Sequence, residues 1–135
     1  IGSLLMSAGG ALRVASYRAM GDNYTFVLSI KKDHTLITHG PYSVVRHPGY
    51  TAACIFFPGM LFAFIGPGGV FECLDLWRFT SMRFGGVALV LTTLYLWVML
   101  AKRMPVEDRA LQEEFKEKWV AWSKKVPYSL VPYVY

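Results

Sequence analysis

The stretch HGPYSVVRHPGYTAACIFFPGMLFAFIGPGGVF, His39 to Phe71, changes character within a few residues. Its first twelve positions hold two histidines, two prolines, two glycines, two tyrosines and Arg46, whereas Pro48 to Phe71 carries no charge. An uncharged run of this length reaches the roughly 20 residues that a helix needs to cross a bilayer core. Pro48 suits the opening of that helix, because the N–H it lacks would have no intrahelical partner there. Gly66-Pro67-Gly68-Gly69 should end it, and Pro58-Gly59 is a candidate kink.

A second uncharged run, Phe84 to Ala101, follows a short connector, so the two read as a transmembrane hairpin. The composition agrees. In 135 residues, 54% hydrophobic and 16% aromatic content with a mean hydropathy of +0.35 exceeds what a soluble domain carries. The net charge of +5 is scattered and lacks the aromatic-basic pattern of a nucleic-acid module, so no nucleic-acid partner is expected. Arg13, Arg18, Lys31, Lys32 and Arg46 precede the first run, and Lys102, Arg103, Arg109, Lys116, Lys118, Lys124 and Lys125 follow the second. A hairpin returns both flanks to one face, which the positive-inside rule makes cytoplasmic.

Outside the hairpin, Ile1 to about Met20 reads as a helix in which Gly9 and Gly10 permit a close neighbour, ended by a Gly21-Asp22-Asn23 turn. Tyr24 to Val45 reads as an irregular cytoplasmic connector. The second span is expected from about Arg83 to Arg103, with Pro105 starting a separate amphipathic helix whose Glu107 and Asp108 offset the dipole of its first turn. Its apolar face is Leu111, Phe115, Trp119, Trp122 and Val126, spaced three or four apart. The tail VPYSLVPYVY is too rich in proline for helix and should pack extended. Cys54 and Cys73 have neither metal-ligand nor CxxC spacing, so no metal is expected.

These readings give an all-α integral membrane fold. It comprises a transmembrane helical hairpin, a partial N-terminal transmembrane helix and a cytoplasmic amphipathic C-terminal helix. The chain begins at Ile1 within an apolar run, and a single domain over 1–135 that lacks earlier helices is the expectation.

DHTLITHGPYSVVRHPGY, the hairpin, and then RMPVEDRALQEEF with Trp119, Trp122 and VPYSLVP resemble the C-terminal half of the isoprenylcysteine carboxyl methyltransferase family, its fungal members above all. The GPY and RHP-x-Y block alone is shared with other membrane methyltransferases and with sterol reductases. Its combination with Arg103-x-x-x-Glu107-Asp108-x-x-Leu111 is far more specific. The resemblance implies a multi-helix membrane enzyme of the endoplasmic reticulum. Such an enzyme uses S-adenosyl-L-methionine to methylate the C-terminal carboxylate of a prenylated cysteine on proteins or peptides, with its active site facing the cytoplasm.

Position by position, the resemblance implies cofactor contacts at His34, Thr35, Leu36 and Ile37, at Tyr42, at His47, Pro48, Gly49 and Tyr50, and at Glu107. Arg103 matches the arginine assigned to substrate, and Arg13 more loosely matches another arginine near the reacting carboxylate. Two positions depart from the family pattern: Ala52, where glycine is usual, and Lys116, where the family carries glycine after phenylalanine. A bland reading accompanies each site residue. Arg103 would also serve as a snorkelling anchor, Glu107 and Asp108 as dipole complements, and Tyr42 and Tyr50 as interfacial belt residues. His39 has no matched role and is read as structural. The alternatives are a membrane methyltransferase acting on a phospholipid amine or small lipid, and a sterol-type reductase. The VPYSLVPYVY ending is similar to that of the reductases, but the asparagine they usually carry before the tyrosine, here Gly49 before Tyr50, and their later acidic-cysteine motif are absent from this chain.

Overall fold

The computed structural model describes residues 1–21 and 35–132 and contains helices and turns but no strand among them. In chain order these are α1 (Gly2–Met20), a 3-10 turn at Gly40–Ser43, α2 (Pro48–Ile65), α3 (Val70–Cys73), a second 3-10 turn at Leu76–Arg78, α4 (Thr80–Phe115) and α5 (Glu117–Lys125). Two segments are long and apolar enough to cross a membrane, Pro48–Cys73 and Thr80–Phe115, and only 11% of each apolar window is buried within the protein. Soluble core helices are mostly buried. Here Phe62, Phe84, Leu91, Leu94 and Val98 all face outward instead, as they should toward lipid. The chain is an all-helical membrane protein built on the hairpin its sequence predicts.

The first helix lies antiparallel along α2. A Cβ at Gly2 would stand 2.8 Å from the Gly59 carbonyl oxygen, and one at Gly9 would stand 2.8 Å from the Ala52 carbonyl oxygen. Small residues recur at a seven-residue interval on both helices, Gly2 and Gly9 on one, Ala52 and Gly59 on the other. That interval keeps them on one face and lets the backbones approach. Gly10 points into open space, so only half of the expected glycine pair serves the contact. Ala52 is fully buried in this interface. Gly59 marks close packing, and α2 continues as helix through Pro58 to end at Gly66.

The largest correction concerns Pro105. It does not begin a new helix, because α4 runs unbroken for 36 residues from Thr80 to Phe115 with Pro105 inside it. A proline forfeits the bond from its own nitrogen to the carbonyl four residues earlier, that of Ala101. The turns beyond it are held in line by side-chain contacts to the start of α2. Glu107 and Asp108 therefore sit deep within a helix and have no N-terminal dipole to complement.

The break falls at Lys116 instead, whose φ of 45° and ψ of −114° end α4 and begin α5. Past it, Trp119, Trp122 and Val126 form a buried cluster with Leu111, Phe115 and Val120, joined by Leu36 and Tyr42 from the connector. The amphipathic stripe thus closes onto the segment before the hairpin. The tail returns as expected: the Arg46 N–H donates to Tyr128 O at 2.9 Å, and the His47 N–H to Ser129 O at 3.0 Å. Asp22, Asn23 and the first half of the expected connector, through His34, lie outside the described residues.

Candidate active site

His47 caps α2, and Tyr50 follows one turn later on the same helix. Their rings stack at 5.3 Å between centroids and 11° between planes. Each meets one of two adjacent carboxylates on α4. The Tyr50 hydroxyl donates to Glu107 Oε2 at 2.5 Å, and His47 Nε2 lies 3.2 Å from Asp108 Oδ1. Two residues three apart on one helix are thereby matched to two neighbours on another.

The network continues on both sides. Beyond Glu107, Arg103 Nε is 4.0 Å from Glu107 Oε2, one helical turn back, and half-exposed. Beyond Asp108, Arg46 Nη1 approaches Oδ2 at 3.6 Å, its Nη2 donates to Ser129 Oγ at 2.6 Å, and the guanidinium lies 5.9 Å over the Trp119 ring. Thr51 Oγ1 donates to Leu130 O at 2.6 Å and ties the tail to the first turn of α2. Arg46 and Asp108 compensate each other in a largely buried setting, as buried charges must.

The remaining residues implied by the family pattern fall around this line. Arg13, on α1, donates from Nη1 to Gly49 O at 3.4 Å and stacks on Tyr17. Pro48 is fully buried at the helix start. Leu36 packs against the α5 tryptophans, and the Tyr42 carbonyl accepts from Trp122 Nε1 at 3.2 Å. Burial pushes the Tyr42 phenol well above its usual range, and the nearby Glu107 and Tyr17 charges add to the effect. Thr35 and Ile37 lie in the irregular segment leading to Tyr42, with Thr35 exposed and Ile37 half-buried, while His39 is exposed. His34 lies outside the described residues.

The sequence places Arg46 only in the basic flank of the hairpin and Trp119 only on an apolar helix face, and it gives Asp108 only a dipole role. The signal was present in the run Arg46-His47 and the paired acids Glu107-Asp108, but the matching of one pair to the other requires the phase of both helices. Four buried polar atoms have no hydrogen-bond partner among the described residues: Arg46 Nε, His47 Nε2, Asp108 Oδ1 and Trp119 Nε1. All four belong to this one cluster. Three are nitrogens and one is a carboxylate oxygen, a donor-rich set with an acidic counterpart beside it.

Comparison with known proteins bears directly on this arrangement. Residues 3–86, which contain all of α1 but its first residue, the His47 to Tyr50 turn and α2, match the model of the isoprenylcysteine carboxyl methyltransferase (ICMT) family. The chain belongs to the ICMT family. A rice protein described as a probable protein-S-isoprenylcysteine O-methyltransferase is 27% identical over 99% of this chain and 61% of its own length. Protein-S-isoprenylcysteine O-methyltransferase B of Arabidopsis thaliana is 24% identical over 98% and 58%. The Schizosaccharomyces pombe protein-S-isoprenylcysteine O-methyltransferase is 29% identical over 88% and 43%. The chain thus spans about three-fifths of the length of its plant relatives. The two plant alignments cover nearly the whole chain and so extend beyond the family match across α4 and α5.

Proposed function

We propose that the protein this chain belongs to is a protein-S-isoprenylcysteine O-methyltransferase that uses S-adenosyl-L-methionine. The observation that carries the reading is the meeting of Tyr50 with Glu107 across the hairpin, with Arg103 one turn away at the same end. The relatives' names supply the reaction class. The cluster supplies groups suited to both reactants.

A carboxylate is already ionised near pH 7, so its methylation needs no general base. When bound, S-adenosyl-L-methionine supplies a methyl group made electrophilic by its sulfonium. What the protein must contribute is alignment and exclusion of water. Arg103 would grip the prenylcysteine carboxylate through its planar fork, and Arg13 would lend a second positive charge from α1. Glu107, steadied by Tyr50, would offset the cofactor's positive charge or accept from its hydroxyls. His47, Pro48, Gly49 and Tyr42 would line the same cofactor site, with Thr35, Leu36 and Ile37 on the approach from the connector. The buried, partnerless Arg46 Nε and Trp119 Nε1 beside this line fit a polar ligand better than a hydrocarbon one.

The hairpin's outward apolar faces suit a substrate anchored in lipid by its prenyl chain. Its polar end would reach Arg103 while the cofactor approaches from water. The excess of lysine and arginine at this end of the hairpin supports a cytoplasmic orientation, and the endoplasmic reticulum is the proposed membrane. Incubating membranes that contain the full-length protein with methyl-labelled S-adenosyl-L-methionine and N-acetyl-S-farnesylcysteine should yield a base-labile methyl ester. Label in a phospholipid amine instead, with the cysteine acceptor unmodified, would replace this reading with the lipid methyltransferase.

A further inference from the structure

We propose that Asp108 is the positioning residue for His47: its carboxylate accepts from His47 Nε2–H and holds the imidazole in the tautomer whose Nδ1 carries a free lone pair. The inference rests on the reading of His47 as part of the cofactor site, and it assigns to Asp108 a role distinct from that of its neighbour Glu107.

Three observations lead to it. His47 is 95% buried and its Nε2 stands 3.2 Å from Asp108 Oδ1, a hydrogen-bond distance without hydrogen-bond alignment. Neither atom has any other hydrogen-bond partner among the described residues, so a small rotation of the ring that aligns them satisfies two buried polar atoms at once. Asp108 is itself fixed from the other side by Arg46, which is held in turn by Ser129 and lies over Trp119. Arg46 thus balances the Asp108 charge.

The face of the ring is set as well. Stacking on Tyr50, whose hydroxyl is tied to Glu107, leaves in-plane rotation as the imidazole's main freedom, and a partner at Nε2 removes it. A carboxylate on one ring nitrogen determines which nitrogen carries the proton. Asp108 therefore acts through His47, whereas Glu107 faces the cofactor side directly.

The test uses the full-length protein in lipid nanodiscs. Direct binding of S-adenosyl-L-methionine is measured for wild type, Asp108→Asn, Asp108→Glu, His47→Gln and the Asp108→Asn/His47→Gln double variant. In parallel, the imidazole nitrogen shifts of His47 are recorded without cofactor. Asp108→Asn should weaken binding about tenfold, the size of one charge-assisted hydrogen bond. Asp108→Glu should recover part of this loss. The double variant should bind no worse than His47→Gln alone, because a residue acting through another is silent once that other is gone. Wild type should show one tautomer protonated at Nε2, and Asp108→Asn a mixture. Additive losses, or an unchanged tautomer in Asp108→Asn, would overturn the proposal. Wild-type protein that fails to bind S-adenosyl-L-methionine would sink the cofactor reading instead, and the nitrogen shifts would still decide whether Asp108 sets the ring.

Discussion

Tyr50 and Glu107 stand 57 residues apart in the chain, yet the hydroxyl of one donates to the carboxylate of the other at 2.5 Å. This bond joins the two membrane-crossing helices at the end of the hairpin opposite its connecting loop, so it is both a clasp on the hairpin and a constraint on the acid proposed to face the cofactor. Tyr50→Phe removes the donor and leaves the Glu107 carboxylate with the longer Arg103 contact at 4.0 Å. Hydrogen bonds to charged groups contribute about 1.5–3 kcal/mol, and partial exposure of Glu107 favours the lower end. Thermal unfolding in detergent should show that loss, with cofactor affinity falling in the same variant. Glu107→Ala should impair cofactor binding while membrane insertion is unchanged; unaltered affinity would remove Glu107 from the site.

The two adjacent glycines of α1 should respond oppositely to the same substitution. A methyl at Gly9 would press on the Ala52 carbonyl and the Phe56 backbone at 2.8 Å, whereas one at Gly10 meets nothing within 4 Å. Gly9→Ala should destabilise by about 1–3 kcal/mol through overpacking. Gly10→Ala should be neutral or stabilise by about 0.5–1 kcal/mol, since alanine loses less backbone entropy in a helix. Equal effects in unfolding experiments would mean that α1 does not meet α2 through Gly9.

Lys116 occupies a left-handed backbone conformation that glycine adopts without steric cost. Such strain costs on the order of 1–3 kcal/mol for other residues. Lys116→Gly should therefore raise stability by about 1 kcal/mol, and Lys116→Val should lower it. If the glycine variant is less stable, the α4–α5 break is set elsewhere.

Arg103→Ala should lower kcat/KM for a prenylcysteine substrate by about one to two powers of ten, the equivalent of roughly 1.5–3 kcal/mol. Arg103→Lys keeps the charge but not the fork and should restore only part of the rate. Affinity for S-adenosyl-L-methionine should hold in both variants. A fully active lysine variant would reduce Arg103 to a snorkelling anchor.

Orientation is open to chemical labelling. In a background without Cys54, native Cys73 is exposed in the loop between the spans and should react from the lumenal side. Cysteine placed at Val44 or Lys124, with Cys73 also removed, should react from the cytoplasmic side. Reaction of all three from one side would mean that neither apolar run crosses, and reaction of the sites at 44 and 124 from opposite sides would mean that only one does.

Much of this molecule is legible in its order of residues. Absence of charge over Pro48 to Phe71 and Phe84 to Ala101 dictates the hairpin, because transfer into hydrocarbon is decided residue by residue. The spacing of Leu111, Phe115, Trp119, Trp122 and Val126 marks the stripe that becomes a buried cluster, because helical period is a local property. Proline and glycine at 48, 66 and 21 start and stop helices where the backbone rules require. The family resemblance is likewise a matter of motif and interval. Tertiary structure alone decided the continuity of α4 through Pro105, which local rules read as a boundary, because contacts to α2 hold the turns beyond the lost backbone bond. It alone matched His47 with Asp108 and Tyr50 with Glu107, and brought Ser129 and Leu130 back to Arg46 and Thr51. Those pairings depend on the relative rotation of two helices, an angle that accumulates about 100° per residue and that only their packing fixes.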